Sequence, residues 1–254
     1  MITLKTSREI DQMRPAGRLV GQILAAVSRQ ASVGVRLREL DELARELLRD
    51  AGATSPFLGY QPASAPVPYP GAICTSVNDA VLHGIPTGYR LRDGDLLSID
   101  CGAQIDGWVG DAAVTVTVGT ARPDDQRLVD AAQSALASGI AAAVVGARIG
   151  DISAAISTVC RANGYGLNTD FGGHGVGHEM HEAPSIPNDG RPGRGMRLQA
   201  GLVIAIEPWF MAGGEDAYVV DPDGWTIRSR DGSRTAHVEH TIAVSDDGPV
   251  VLTA

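Results

Sequence analysis

"VGVRLRELDELARELLRDAG" (residues 33–52) and "VGARIGDISAAISTVCRANG" (residues 145–164) align without a gap, residue 33 on residue 145. They share an opening Val-Gly, an arginine followed by Leu or Ile, an acid followed by Leu or Ile, a second arginine and a closing Gly. Each follows another helix-like stretch. This repeat predicts one α+β domain over residues 1–254, built from two related halves (about 1–120 and 121–254), with paired helices beside strands and a central cleft. The alternative is that any two amphipathic helices resemble each other.

Around the repeat the pattern is mixed. Residues 7–31 carry Ile10, Met13, Leu19, Ile23, Leu24 and Val27 at helical spacing, interrupted early by Pro15. In the first repeat Leu37, Leu40, Leu43, Leu47 and Leu48 form one stripe that Gly52 stops. The stretch YQPASAPVPYPG is too rich in proline for anything but loop, with its Pro-rich part over 61–70. Residues 96–118 read as a hairpin turning around Ile105–Gly107, and two further helices fill 124–164. Later strands are GLVIAIEPWF, AYVV, WTIRS and HVEHTIAV.

The 254 residues are 44% hydrophobic and 20% charged, the balance of an ordinary soluble protein. A net charge of −9 argues against nucleic-acid or anionic-membrane partners. Cys74, Cys101 and Cys160 have no metal-like spacing and read as reduced thiols. With no secretory h-region and no membrane span, a cytoplasmic protein is expected.

Two features are anomalous. The first is "FGGHGVGHEMHEAP" (171–184), whose Gly172, Gly173, Gly175 and Gly177 disfavour a helix and allow close backbone approach. The second is a set of acids in apolar strands: Asp100 in LLSIDCG, Asp111 in WVGDAAVTV, Glu207 in VIAIEPWF and Glu239 in HVEHTIAV. No Lys or Arg lies between Arg92 and Arg122, between Arg197 and Arg228, or after Arg234. An ionised carboxylate in such surroundings costs several kcal/mol unless compensated. Distant arginines could compensate one; for four together, bound cations are the better explanation. A short turn between Ile105 and Asp106 would set Asp100 and Asp111 almost opposite each other, Cβ atoms about 5 Å apart. His174 adds a nitrogen. Five ligands, several able to bridge, imply two divalent ions: Mn, Fe or Co in preference to Zn or Mg.

In this order, Asp100, Asp111, His174, Glu207 and Glu239 resemble the metal site of methionine aminopeptidases, which share the pita-bread fold with prolidases and creatinase. The strings SVNDAVLHGIP, GHGVG, MHEAP, IEPW, DGWT and EHTI are similar to those of the short bacterial type I form without an N-terminal extension. The resemblance runs from about Lys5 to Val250. It implies that Asp100 chelates one metal, that Asp111 and Glu239 bridge both, and that His174 and Glu207 complete the other. It also implies that the glycines let the backbone pack beneath the metals. His83 and His181 then contact the scissile amide, and His178 is incidental. Tyr69, Cys74, Met180 and Trp225 would line the methionine pocket, joined by Phe57 and Tyr60. Met180 replaces an expected phenylalanine, and QPASAPVP separates two tyrosines that the family keeps close together.

The implied activity is release of N-terminal methionine from peptides and nascent chains by a hydroxide bridging two metals. Glu207 would be general base, His181 an oxyanion donor, and His83 would position the amide nitrogen. A monomer is expected, with the ribosome surface as a further partner. Competing readings are a prolidase or Xaa-Pro aminopeptidase, expected to carry a domain ahead of the catalytic one; a non-catalytic pita-bread module, expected to lose ligands; and a bimetallic phosphoesterase, which would not need the apolar pocket.

Overall fold

The structure, a computed structural model, describes residues 2–63, 65–167 and 169–254. Ser64, inside the expected 61–70 loop, lies outside the described residues. The first helices are α1 (Ser7–Gln30) and α2 (Leu37–Asp50), followed by β1 (Ile73–Val77), β2 (Ala80–Leu82), β3 (Asp95–Ile105) and β4 (Trp108–Val118). Then come α3 (Pro123–Ala142), α4 (Ile149–Ala162), β5 (Gly166–Leu167), β6 (Gly172–Gly175) and β7 (Glu182–Pro187). The chain ends with β8 (Val203–Ile206), β9 (Trp209–Met211), β10 (Tyr218–Val220), β11 (Ile227–Ser229), β12 (Thr235–His237), β13 (Glu239–Ser245) and β14 (Gly248–Val251).

The repeated segments become α2 and α4 with matching entrances and exits. Arg36 and Arg148 are the two N-caps, and their backbone N–H groups donate to Glu39 (2.8 Å) and Asp151 (2.7 Å). Arg36 bridges Arg90, and Arg148 bridges Arg197. The equivalent glycines Gly34 and Gly146 take φ of 92° and 89°, and Gly52 and Gly164 take 66° and 73°. A left-handed conformation at four equivalent points explains why glycine recurs there.

Eight strands form one antiparallel sheet in the order β1-β3-β4-β13-β8-β6-β7, with β14 paired to β13. Strand alternation divides its faces. Leu97, Ile99, Cys101, Ala103 and Ala112 pack with α1 and α2, while Ile204, Ile206, Ile242 and Val244 pack with α3 and α4. Each helix pair thus covers one half of the sheet. The residues between them in sequence, Asp100, Asp111, Glu207 and Glu239 included, turn to the opposite face.

Pro15 does not interrupt α1 as the sequence suggested. The helix starts at a Thr6–Glu9 capping box and runs through Pro15. An interior proline costs about 3 kcal/mol, but Met13, Ala16, Leu19, Val20, Ile23, Leu24 and Val27 are buried on either side of it. At about 1.5–3 kcal/mol for each fully buried large aliphatic side chain, packing outweighs the lost hydrogen bond.

Two expected strands are each broken. GLVIAIEPWF becomes β8 and β9, separated by Glu207 and Pro208, and HVEHTIAV becomes β12 and β13, separated by Val238. β8 pairs with β13, whereas β9 pairs with β12 in a separate three-stranded sheet. Both strands therefore change sheets where they carry a glutamate, and a proline without an N–H fits that break.

Candidate metal centre and its pocket

Asp100 pairs with Ala113, and Ala113 with Glu239, so these two carboxylates flank one small residue across three strands. Asp111, two residues before Ala113, shares their face. Glu207 directly follows β8, whose Ile206 pairs with His240. His174 lies on β6, which pairs with β8 through Gly175 and Ile204. Five neighbouring strands, β3, β4, β13, β8 and β6, thus bring one of the expected ligands each.

The expected register of the hairpin is corrected. Asp111 faces Gly102, not Asp100, because the turn is Asp106-Gly107, with φ of 51° and 79°. Positive φ at both turn residues is the signature of a tight two-residue hairpin. The slip from the expected pairing is two residues, which preserves the face. Asp100 and Asp111 are diagonal neighbours whose carboxyl groups still contact each other.

Asp111, His174 and Glu239 offer ligand atoms that all lie within 4.8 Å of one another. His174 Nε2 is 3.9 Å from Asp111 Oδ2 and 3.7 Å from Glu207 Oε1. Among the described residues no arginine or lysine pairs with any of the four acids; the basic side chains within 4 Å of them are the imidazoles of His174 and His237. Asp100 Oδ1, Asp111 Oδ1 and Glu239 Oε1 are buried without a hydrogen-bond partner.

Burial raises Asp100 to about 7. Burial, then the charge of neighbouring acids, pushes Asp111 and Glu239 well above the carboxylate range. Burial also acts to raise Glu207, but contact with His237 and the proximity of His174 bring it below its ordinary value. A buried carboxylate cluster with orphaned oxygens and a histidine fits divalent cations, which would reverse those upward shifts.

His83 and His181 border the same cavity. His83 adopts a φ of 55°, and burial lowers its pKa to about 4. Burial, then the charge of His174, lowers His181 to about 4 as well. The Tyr60 hydroxyl lies 3.1 Å from His181 Nδ1. The His181 ring stands edge-on to His174, centroids 4.4 Å apart.

The cavity holds about 540 Å³ and is lined by Phe57, Tyr60, Tyr69, Cys74, Met180 and Trp225 beside the five expected ligands. The chain thus brings together all six pocket candidates. Tyr69 meets Trp225 edge-on and Tyr60 meets it at a tilt, with centroids 5.1 and 6.4 Å from it. All three cysteines are free and buried.

The glycines of 172–177 serve β6 itself. A Cβ at Gly173 would overlap the Ala205 carbonyl oxygen, and one at Gly175 the Ala183 carbonyl oxygen. Their close approach is to the flanking strands, which is how His174 reaches the centre. His178 stays out of the cavity and stacks on Trp108 at 3.8 Å, its Nδ1 2.7 Å from the Gly107 carbonyl.

Sequence reasoning missed two neighbours. Phe171 borders the cavity and meets His83 edge-on at 6.1 Å. His237 is buried, with Nε2 3.6 Å from Glu207 and 4.0 Å from Glu239 and no hydrogen-bond partner. Its signal was available: two residues before Glu239 on a strand is the same face.

A buried cage of four carboxylates and an imidazole, opening on an apolar pocket inside a curled antiparallel sheet, defines a metal-dependent hydrolase of pita-bread architecture. The model of metallopeptidase family M24 matches residues 11–246, and the chain belongs to that family. Methionine aminopeptidase 1 of Mycobacterium tuberculosis is 46% identical, covering 100% of this chain and 95% of its own length. The methionine aminopeptidase of Aquifex aeolicus is 41% identical, over 99% of this chain and 98% of its own. The crystal structure of the Thermotoga maritima methionine aminopeptidase superposes with a TM-score of 0.94 at 38% identity, covering 100% of this chain and 99% of that one. A prolidase from Pyrococcus furiosus shares the fold at a TM-score of 0.77 and 23% identity, over 99% of this chain and 65% of its own. No helix among the described residues is long and apolar enough to cross a membrane.

Proposed function

We infer that this chain removes N-terminal methionine from peptides and newly made proteins in the cytoplasm, as one catalytic unit of two related halves acting on its own. The observation that carries the reading is the pocket of Tyr69, Cys74, Met180 and Trp225 directly beside Asp100, Asp111, His174, Glu207 and Glu239.

Two ions, Mn, Fe or Co in preference to Zn or Mg, would be held by those five side chains. Bound there, they supply an acidified water and polarise the scissile carbonyl. Everything else falls to the protein. Glu207, with its pKa lowered, is ionised and takes the proton of the attacking water. His181 is neutral, and in the tautomer that carries its proton on Nε2 the Nδ1 would accept from the Tyr60 hydroxyl 3.1 Å away. That N–H donates to the oxygen that gains charge in the tetrahedral state. His83, equally neutral, orients the scissile nitrogen. The apolar pocket takes the methionine side chain and excludes water.

Incubating the Co- or Mn-loaded protein with Met-Ala-Ser, Gly-Pro and Ala-Pro-Ala tests the assignment. Free methionine from the first and nothing from the others is expected. Cleavage confined to the proline peptides would assign the chain to the prolidase branch, and tight binding of Met-Ala-Ser without cleavage would make it a binding module.

A further inference from the structure

The break between β12 and β13 places one buried group that has no part in the reaction as proposed. His237, the last residue of β12, is 2% exposed, and its Nε2 has no hydrogen-bond partner. A histidine that only fills a core normally has its buried ring nitrogens paired, because an unpaired donor loses its hydration without return. Here Nε2 faces carboxylates: Glu207 Oε2 at 3.6 Å and Glu239 Oε2 at 4.0 Å. An ionised carboxylate only accepts, so the ring proton that suits this setting is the one on Nε2.

The backbone beneath this imidazole is held from outside its own strand. The His237 N–H donates to Thr115 Oγ1 at 3.0 Å, and the Thr115 hydroxyl donates to the His237 carbonyl at 2.6 Å. Ser98 Oγ lies 2.8 Å from Thr115 Oγ1 and braces the pair. On its other side β12 pairs with β9, His237 opposite Trp209.

Glu207 has less support. It lies in the gap between β8 and β9, outside any ladder, and the buried Asn188 amide holds only its backbone carbonyl, at 3.0 Å. The carboxylate itself stands between two imidazoles. His174 Nε2 is 3.7 Å from Oε1, and His237 Nε2 is 3.6 Å from Oε2. At that length the His237 contact is slightly too long for a hydrogen bond and acts as an electrostatic restraint.

We propose that His237 is a positioning residue: its Nε2–H restrains Glu207 Oε2, so that Oε1 stays turned toward His174 and the centre keeps its affinity for divalent ions. This rests on the reading that His174 and Glu207 hold an ion. Donors that support a ligating carboxylate from behind commonly change metal affinity or activity about 10–100-fold when removed.

Three substitutions separate positioning from core filling. His237→Gln keeps an N–H near the place of Nε2, His237→Asn sets its amide back near Nδ1, and His237→Leu keeps bulk without a donor. Chelator-stripped parent and variants are titrated calorimetrically with Mn²⁺, and melting of the stripped proteins is followed. His237→Leu and His237→Asn are expected to bind Mn²⁺ at least about 10-fold more weakly than the parent, while His237→Gln stays within about 3-fold. Stripped His237→Leu should melt no lower than the parent, because no formed hydrogen bond is lost. At saturating Mn²⁺ it should lower kcat on Met-Ala-Ser about 10-fold with KM nearly unchanged. If His237→Leu fails to fold, the affinities of His237→Asn and His237→Gln decide alone. Mn²⁺ affinities of the donor-free and set-back variants within twofold of the parent would overturn the proposal. So would a His237→Gln as weak as His237→Leu, or one that loses a whole equivalent of metal, which would make His237 a ligand. A stripped parent that takes up no Mn²⁺ would overturn the metal reading itself, and the proposal with it.

Discussion

His181 shows how much one side chain draws from its neighbours. Its ring abuts His174, its Nδ1 lies 3.1 Å from the Tyr60 hydroxyl, and a pKa lowered to about 4 keeps it neutral. His181→Ala should therefore leave metal content intact and lower kcat by about 100-fold, the usual scale for one oxyanion donor. Tyr60→Phe should act through His181, lowering kcat about 5-fold, in line with roughly 1 kcal/mol for a net hydrogen bond. Steady-state kinetics with metal analysis checks both; metal loss in His181→Ala would move that residue from substrate contact to ligand. At this scale the four acids and the imidazole are legible in the sequence because each breaks a local rule: acid in an apolar strand, no base nearby, histidine among glycines. His237 breaks none, since one histidine in a strand is unremarkable until its spacing from Glu239 is noticed. His178 drew notice by standing between His174 and His181, yet its work is to stack on Trp108.

Elements place these residues, and one contact ties the chain's start to the site. Lys5, the only lysine, is buried; its Nζ lies 2.7 Å from Glu182 Oε2 and its N–H donates to the Gly201 carbonyl at 2.7 Å. Glu182 Oε1 in turn accepts the N–H groups of His178 (2.8 Å) and Glu179 (3.3 Å), the turn that leads into His181. Lys5→Met would strand a part-buried carboxylate and should cost about 1.5 kcal/mol of stability. Adding Glu182→Gln, which keeps an acceptor for the turn, should restore most of it. Urea denaturation measures both; a double variant no more stable than Lys5→Met would show that the lysine's packing, not its charge, matters. Helices and the long hairpin are legible from periodicity, and the left-handed Asp106-Gly107 turn is what shifts the hairpin register. The breaks in the two late strands are less so: Pro208 marks one, but nothing around Val238 marks the other, because the cause is pairing with a partner that also breaks.

Across the whole molecule, the repeat foretells more than helices. Matching N-caps, bridges and left-handed glycines give α2 and α4 the same entrances and exits, and each helix pair covers its own part of one sheet. The proposed ligands come from both parts of the chain: Asp100 and Asp111 precede α3, and His174, Glu207 and Glu239 follow α4. Their meeting is not legible from periodicity, since it depends on β13 pairing with β4, a contact between distant parts of the chain. What is legible is that the charges need an answer. Pairing with arginine is excluded among the described residues, so the cage and its folding stability should depend on divalent ions.

Metal titration tests that dependence directly. Chelator-stripped protein and the Asp111→Asn variant are titrated calorimetrically with Mn²⁺, and melting is followed in parallel. The unaltered protein should take up two equivalents and melt several degrees higher when loaded, whereas Asp111→Asn should bind fewer and gain less. Stripped protein that takes up no ion and melts at the same temperature with and without Mn²⁺ would contradict the account.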